Sequence, residues 1–375
     1  MLQGYATAEG TARYRDRFPK LRDALHFRQA RHAFGVADLW LPSIGLGTYL
    51  GEPDDSADTN YIQAIVAALG SGINMLDTAI NYRHQRSERN VGAALKQGIA
   101  DKSIQRDEVF ISTKAGYLSF DSNLPADPRA YFMHEYVEPG TLDPRQITGG
   151  MHCIAPAFLE NQIQRSRRNL GLETIDLFYL HNPESQLSDV DRDAFRRRVT
   201  DAFVLLESLV TKAWIRFYGM ATWNGFRTAE SSREYLSLRD MVELAKTVGG
   251  TDHHFRFVQL PFSLAMPEAY TVSNQPTADG KKSFLEAASD LGIAAVGSAT
   301  LSQGRLTYGL SDVIRRGLAT ASDAESAIQF SRSAPGMTTS LIGMGHAEHV
   351  TENIRVGIRK PADDEAWQRL FRRAS

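Results

Sequence analysis

Residues 45–56 read GLGTYLGEPDDS. A short apolar run ends here in glycine and threonine, and the turn that follows decides between two fold classes. In an open doubly wound sheet, a glycine-rich turn leads from the first strand directly into a helix whose N-terminus holds a pyrophosphate. This stretch instead continues through Pro53, Asp54 and Asp55 before helical spacing begins. That spacing is Ile62, Ile65, Val66 and Leu69, the i, i+3, i+4, i+7 stripe of a helix with one buried face. The dinucleotide-binding turn is missing, which favours the other architecture of alternating strands and helices.

Outward from this point, short apolar runs alternate with amphipathic segments along the chain. Candidate strands cover residues 42–48, 74–77, 109–113, 175–181, 215–221, 255–260, 293–297 and 339–343. Between them lie helical stripes such as Phe195, Val199, Ala202, Phe203, Leu206 and Leu209. Glycines at 70, 98, 171, 249 and 292 mark helix stops. Eight strand–helix units predict an α/β fold whose parallel sheet closes into a (β/α)8 TIM barrel. The chain reads as one domain over residues 1–375. Two regions fall outside the rhythm. Residues 1–40 form an N-terminal extension, placed across the barrel's bottom or side. Residues 115–155 make a long loop after the third strand, rich in aromatics (Tyr117, Phe120, Tyr131, Phe132, Tyr136) among four prolines. Loops of that length are functional or disordered, and the aromatic content predicts an ordered lid over a substrate pocket.

Composition narrows the function. Lys plus Arg number 42 against 44 for Asp plus Glu, a formal charge of -2, so there is no footprint for nucleic acid or an anionic membrane. Cys153 is the single cysteine, which leaves no internal disulfide and fits a reducing compartment. The first residues lack the apolar core of a secretory signal, and no run approaches the ~18 apolar residues of a membrane span. The expectation is a cytoplasmic protein acting on a small molecule, with no metal; oligomeric state is left open.

In a barrel, the carboxyl ends of strands face the reaction site. Asp77 ends the second candidate strand, Lys114 follows the third in VFISTK, and His181 ends the fourth in LFYLHN; Tyr82 lies just past Asp77. Each alone has a plain structural explanation, but four titratable groups converging on one barrel end point to chemistry. A phenol gives up its proton reluctantly at neutral pH, its reference pKa being about 10. An adjacent ammonium stabilises the phenolate. Asp77 can hold Lys114 charged, and His181 can donate to a substrate oxygen. The set is a general acid aimed at a carbonyl, or the matching base for an alcohol. No nucleophile stands beside a base and no cluster has metal-ligand spacing; His253 and His254 in DHHF precede a strand, at the wrong end of the barrel. Such chemistry needs a borrowed hydride, and a nicotinamide supplies one.

At these residues the chain resembles the aldo-keto reductase family. The pieces that carry the likeness are LPSIGLGTYLG, GINMLDTAINY, SERNVGAAL, VFISTK, IDLFYLHNPE, VQLPFS and LIGMGHAEHVTENI, spanning residues 41–354. The resemblance implies a catalytic tetrad of Asp77, Tyr82, Lys114 and His181, with Tyr82 the proton donor. It implies NADP(H) or NAD(H) bound on the barrel without a separate nucleotide domain. The implied cofactor positions are Gly47, Thr48, Asp77, Gln259, Ser298, Leu301, Gly304, Gly343, His349, Glu352 and Asn353, with Thr222 or Asn224 for the carboxamide. Tyr49, Tyr117 and Trp223 would line the substrate pocket. Three departures stand out. GMATWN replaces the family's usual Ser-Asn after the fifth strand. Ser298 stands where an aromatic often stacks on the nicotinamide. Residues 333–354 contain no Lys or Arg, so the choice between NADP(H) and NAD(H) stays open. A second function, a cofactor-sensing regulatory or scaffolding subunit, is compatible with the same fold; the complete tetrad favours the enzyme.

Overall fold

The computed structural model describes residues 1–30 and 38–371. Its helices begin where short polar side chains can take orphan backbone donors. Asp54 accepts from the Ala57 N–H at 2.8 Å and starts α1 (Asp55–Gly70). Asp191 does the same for α4 (Arg192–Thr211), Ser237 for α5 (Leu238–Gly249) and Ser322 for α7 (Asp323–Ser333). The remaining barrel helices are α2 (Arg86–Ala100), α3 (Pro156–Leu170), α6 (Phe284–Asp290) and α8 (Ala347–Gly357). Gly171 closes α3 in a left-handed conformation (φ 68°), whereas Gly98 lies within α2 and stops nothing.

The strands are β1 (Ile44–Gly47), β2 (Met75–Asp77), β3 (Phe110–Ala115), β4 (Ile175–His181), β5 (Ile215–Ala221), β6 (Phe255–Pro261), β7 (Ala294–Ser298) and β8 (Met337–Gly343). All pair in parallel, each with its sequence neighbours, and β8 closes on β1. The fold is a (β/α)8 barrel, as the eight apolar runs require: strands buried on both faces read as continuous apolar stretches.

The N-terminal residues lie at the amino ends of the strands. Phe27–Arg28 pairs antiparallel with Leu41–Pro42. Ala6, Leu39 and Leu41 join the barrel's inner side chains Met75, Phe110, Leu177, Phe217, Phe257 and Val296 in one apolar cluster. The Ala6 N–H donates to Asp176 Oδ1 at 2.6 Å, and Arg106 donates to the other carboxylate oxygen at 2.7 Å.

Residues 115–155 are ordered around a core of their own. Phe120 stacks on Phe132 (4.8 Å, 16°), and Tyr136 meets Phe158 of α3 edge-on at 5.7 Å. The Tyr136 hydroxyl donates to the Ser119 carbonyl at 2.7 Å, and Arg165 of α3 pairs with Glu135. Phe120, Phe132 and Tyr136 thus pack toward Phe158 of α3, and among the described residues no ring contact joins them to Trp223, whereas Tyr117 lies edge-on to His181. Aromatic content says that a segment must bury its rings, not against which surface. Among the described residues no helix is long and apolar enough to cross a membrane.

Candidate active site

Three strand ends and one turn bring the tetrad together. In the β2–β3 ladder Asp77 lies opposite Ser112, two residues before Lys114. The Lys114 ammonium donates to Asp77 Oδ2 at 2.6 Å and to the Thr78 carbonyl at 2.8 Å, with the Tyr82 hydroxyl at 3.4 Å. Lys114 is fully buried, so the ion pair stands only because the charge has three oxygen partners. Asp77 Oδ1 accepts from Ser112 Oγ at 2.7 Å and from Gln259 Nε2 at 2.9 Å. Ser112 escaped the sequence reading, and Gln259 gives its amide protons to a partner not foreseen there. The His181 ring lies edge-on to Tyr82 (5.8 Å) and to Tyr117 (5.2 Å), and Tyr49 is edge-on to Tyr82 at 5.0 Å.

Burial governs the proton equilibria. Burial raises the Tyr82 phenol above its ordinary value, and the opposing pull of Lys114 does not cancel it. Burial also works against the Lys114 ammonium, yet Asp77 and Tyr82 outweigh it and its pKa stands above the usual lysine value. His181 is pushed well below the histidine range, first by burial and then by Lys114. At neutral pH the arrangement is a protonated phenol, a charged lysine and a neutral imidazole. An adjacent ammonium favours the phenolate, but the dry surroundings outweigh it here.

The other candidates distribute around the carboxyl rim. Thr48 donates to the Asp77 carbonyl, and Gly47 is paired with both Asp77 and Gly343 in the ladder. Thr222 Oγ1 is buried and has no hydrogen-bond partner among the described residues. The Asn224 side chain is already engaged, donating to Glu234 at 2.9 Å and accepting from Arg227 at 3.1 Å. Ser298 ends β7, and its carbonyl accepts from the Phe262 N–H at 2.9 Å. Leu301 packs against the core, and Gly304 follows it in a left-handed conformation. Trp223 is 47% exposed, and among the described residues no ring contact joins it to Tyr82, Tyr117 or the aromatics of residues 115–155. Glu184 was also missed: its Oε1 accepts from the Trp223, Asn224 and Gly225 N–H groups at 2.7, 3.0 and 3.3 Å. Its place three residues after His181, in HNPE, was the available signal.

A cleft of about 360 Å³ opens between the start of α1 and the β8–α8 turn. It is lined by residues 50–52, Asp54, Ser56, Ala57, Asn60, Tyr61, Gly343, Gly345, His346 and His349. Glu352 and Asn353 lie one turn further along α8 and do not line it. An unpaired buried hydroxyl at the β5 end and an open, glycine-floored cleft at the β8 end suit an elongated ligand with an amide at one end. A nicotinamide dinucleotide has that form.

Comparison with known proteins agrees. A human protein described as aldo-keto reductase family 1 member C2 is 27% identical over 146 residues, covering 39% of this chain and 33% of the relative. The NADH-specific methylglyoxal reductase of Escherichia coli is 26% identical over 216 residues, 55% of each chain. The matched stretches thus span from a third to just over half of these relatives. The glycerol dehydrogenase AKR11B4 from Gluconobacter oxydans superimposes with a TM-score of 0.62, covering 92% of this chain and 94% of that one at 17% identity, which speaks for the fold alone. A sequence model of the Aldo/keto reductase family matches residues 43–372, nearly the whole barrel, and the chain belongs to that family.

Proposed function

We propose that this chain is an NAD(P)H-dependent carbonyl reductase, working in the other direction as an alcohol or sugar dehydrogenase, with Tyr82 as the general acid or base. The observation that carries this reading is the buried Lys114 ammonium held between Asp77 and the Tyr82 hydroxyl. A bound nicotinamide would supply or accept the hydride. The chain's own part is to manage the proton and the geometry. Tyr82 stays protonated at neutral pH because burial raises its pKa, so it holds the proton a new alkoxide needs. Lys114 limits the cost of the phenolate left behind; for a phenol of ordinary pKa that cost is about 4 kcal/mol at pH 7, and burial adds to it. Ser112 and Gln259 fix Asp77, which in turn fixes Lys114. His181, neutral and beside Tyr82, can donate one hydrogen bond to the substrate oxygen and select its orientation.

Thr222 Oγ1 is the better candidate for a carboxamide contact, because Asn224 is already engaged. Gln259 has given its N–H to Asp77 and keeps its carbonyl oxygen to accept from the same amide. The adenosine end would occupy the cleft at His346 and His349. The test follows absorbance at the nicotinamide band with NADH and NADPH against a panel of aldehydes, ketones and sugars. Turnover that disappears in Tyr82→Phe is the expected result. Cofactor binding without turnover on any carbonyl would overturn it in favour of the regulatory reading.

A further inference from the structure

The long segment after β3 returns to the barrel with His152 set against the end of β4. Gly116 leaves β3, and the chain comes back antiparallel to it: Leu118 donates to the Met151 carbonyl at 2.8 Å, and Cys153 to the Gly116 carbonyl at 2.7 Å. This places His152, almost wholly buried, against the strand end that carries His181. His152 Nε2 lies 2.7 Å from the His181 carbonyl oxygen, and Nδ1 lies 2.7 Å from Gln186 Nε2. The Tyr117 ring is edge-on to both imidazoles, at 5.0 and 5.2 Å. Gly116 permits this approach, since a Cβ there would sit 2.5 Å from the His181 carbonyl oxygen and 2.8 Å from His152 Nε2.

The polarity of these bonds is determined. Arg198 can only donate, and it donates to Gln186 Oε1 and to Thr148 Oγ1. The Gln186 NH₂ group therefore faces His152 Nδ1, which must accept. The single ring proton is then on Nε2, directed at the His181 carbonyl. A second proton on Nδ1 would meet the Gln186 NH₂, and burial already holds His152 down to about 4. The result is a one-way chain: Arg198 to Gln186, Gln186 to His152, His152 to the His181 backbone. The His181 ring needs outside support, because its Nδ1 has no partner among the described residues and the next residue, Asn182, has a left-handed backbone (φ 46°).

We propose that His152 is a positioning residue for His181: the segment of residues 115–155 contributes to catalysis by fixing the backbone from which the substrate-orienting imidazole hangs. This rests on the role given to His181 above. The bond acts on a carbonyl and not on the reacting atoms, so its loss would misplace His181 without touching the cofactor. A displacement of about 1 Å is enough to cost up to 10²-fold in rate.

Three variants test it. His152→Leu removes the donor, Gln186→Leu removes what orients it, and His152→Gln offers an amide N–H at about the same reach as Nε2. The expected result is a fall in kcat of tenfold or more for the two leucine variants, with cofactor dissociation constants within twofold of wild type and kcat largely restored in His152→Gln. The His181 ring resonances are followed in parallel by NMR on the cofactor-free proteins; they should move in both leucine variants and return in His152→Gln. Unchanged kcat and unmoved His181 resonances in His152→Leu would overturn the proposal. So would equal losses in all three variants that track a fall in melting temperature, the mark of a merely structural histidine. The resonances are read without substrate, so a wild-type protein that turned over no carbonyl would refute the proposed activity and leave the His152–His181 coupling separately decided.

Discussion

Tyr82 keeps its proton because burial penalises the phenolate more than the neighbouring ammonium favours it. Tyr82→Phe retains the ring between Tyr49 and His181 and removes only the hydroxyl. The expected loss is at least 10²-fold in kcat, the range of general acid catalysis, with cofactor affinity unchanged by fluorescence titration. Lys114→Met acts on the same proton from the other side. Reduction needs Tyr82 protonated, so the rate falls as pH rises through its pKa. Lys114 is among the causes that lower that pKa, and its removal should move the alkaline limb of the pH–rate profile to higher pH. The double variant should lose little more than either single one, because the pair works as a unit. An alkaline limb unmoved in Lys114→Met would assign it to another group. At this scale the sequence is informative wherever chemistry sits on a strand end: Asp77, Lys114 and His181 each close an apolar run. Ser112 and His152 were invisible, because one is an ordinary strand serine and the other acquires its partner only when residues 115–155 fold back.

The turn after Tyr82 shows what an element must tolerate to aim one side chain. Arg83, His84 and Gln85 all have left-handed φ values, 48°, 55° and 70°, and none is glycine. Each such residue costs about 1 kcal/mol or more, so the turn persists only because its surroundings over-determine it. Arg83 supplies much of that restraint. Its Nε donates to the Glu52 carbonyl at 2.8 Å, and Nη2 donates to the Asp54 carbonyl at 3.2 Å and to Asp58 Oδ1 at 2.7 Å. Arg83→Ala should therefore lower stability by about 2 kcal/mol, the scale of losing charged hydrogen bonds, and lower kcat through a looser Tyr82. Thermal unfolding and steady-state kinetics check both; stability lost at unchanged kcat would mean that the turn does not depend on Arg83. The eight strands were readable because each is a dense apolar run, but this turn was not, since YRHQRSERN reads as the start of a helix. Residues 115–155 were half readable for a similar reason. Their order could be foreseen, but their rings bury on Phe158 of α3, so excising residues 119–146 should lower the melting temperature before it alters substrate KM.

For the whole molecule, barrel closure sets the start of α1 against the start of α8 and leaves a cleft between them. Two helix N-termini would ordinarily favour an anion such as a 2′-phosphate, each by roughly 0.3–1 kcal/mol. Here Asp54 caps α1 with its own carboxylate, while Asp55 and Asp58 in the first turn are paired with Arg83 and Arg86. Glu52 and Asp54 also line the cleft; among the described residues no Lys or Arg does, and its basic side chains are His346 and His349. The carboxylates and the helix ends thus oppose one another, and a dianionic 2′-phosphate gains nothing that a ribose hydroxyl does not. NADH should bind at least as tightly as NADPH in the wild-type protein. Salt gives an independent check, because carboxylate–phosphate repulsion is screened over about 10 Å at 0.1 M ionic strength. Raising salt should narrow the gap between the two dissociation constants by helping NADPH. Glu52→Lys reverses one charge at the cleft and should tighten NADPH about tenfold, worth about 1.4 kcal/mol, while leaving NADH within twofold. Fluorescence titration of both cofactors against both proteins decides the matter. NADPH bound tenfold more tightly than NADH by the wild-type protein would show that the phosphate is received outside this cleft.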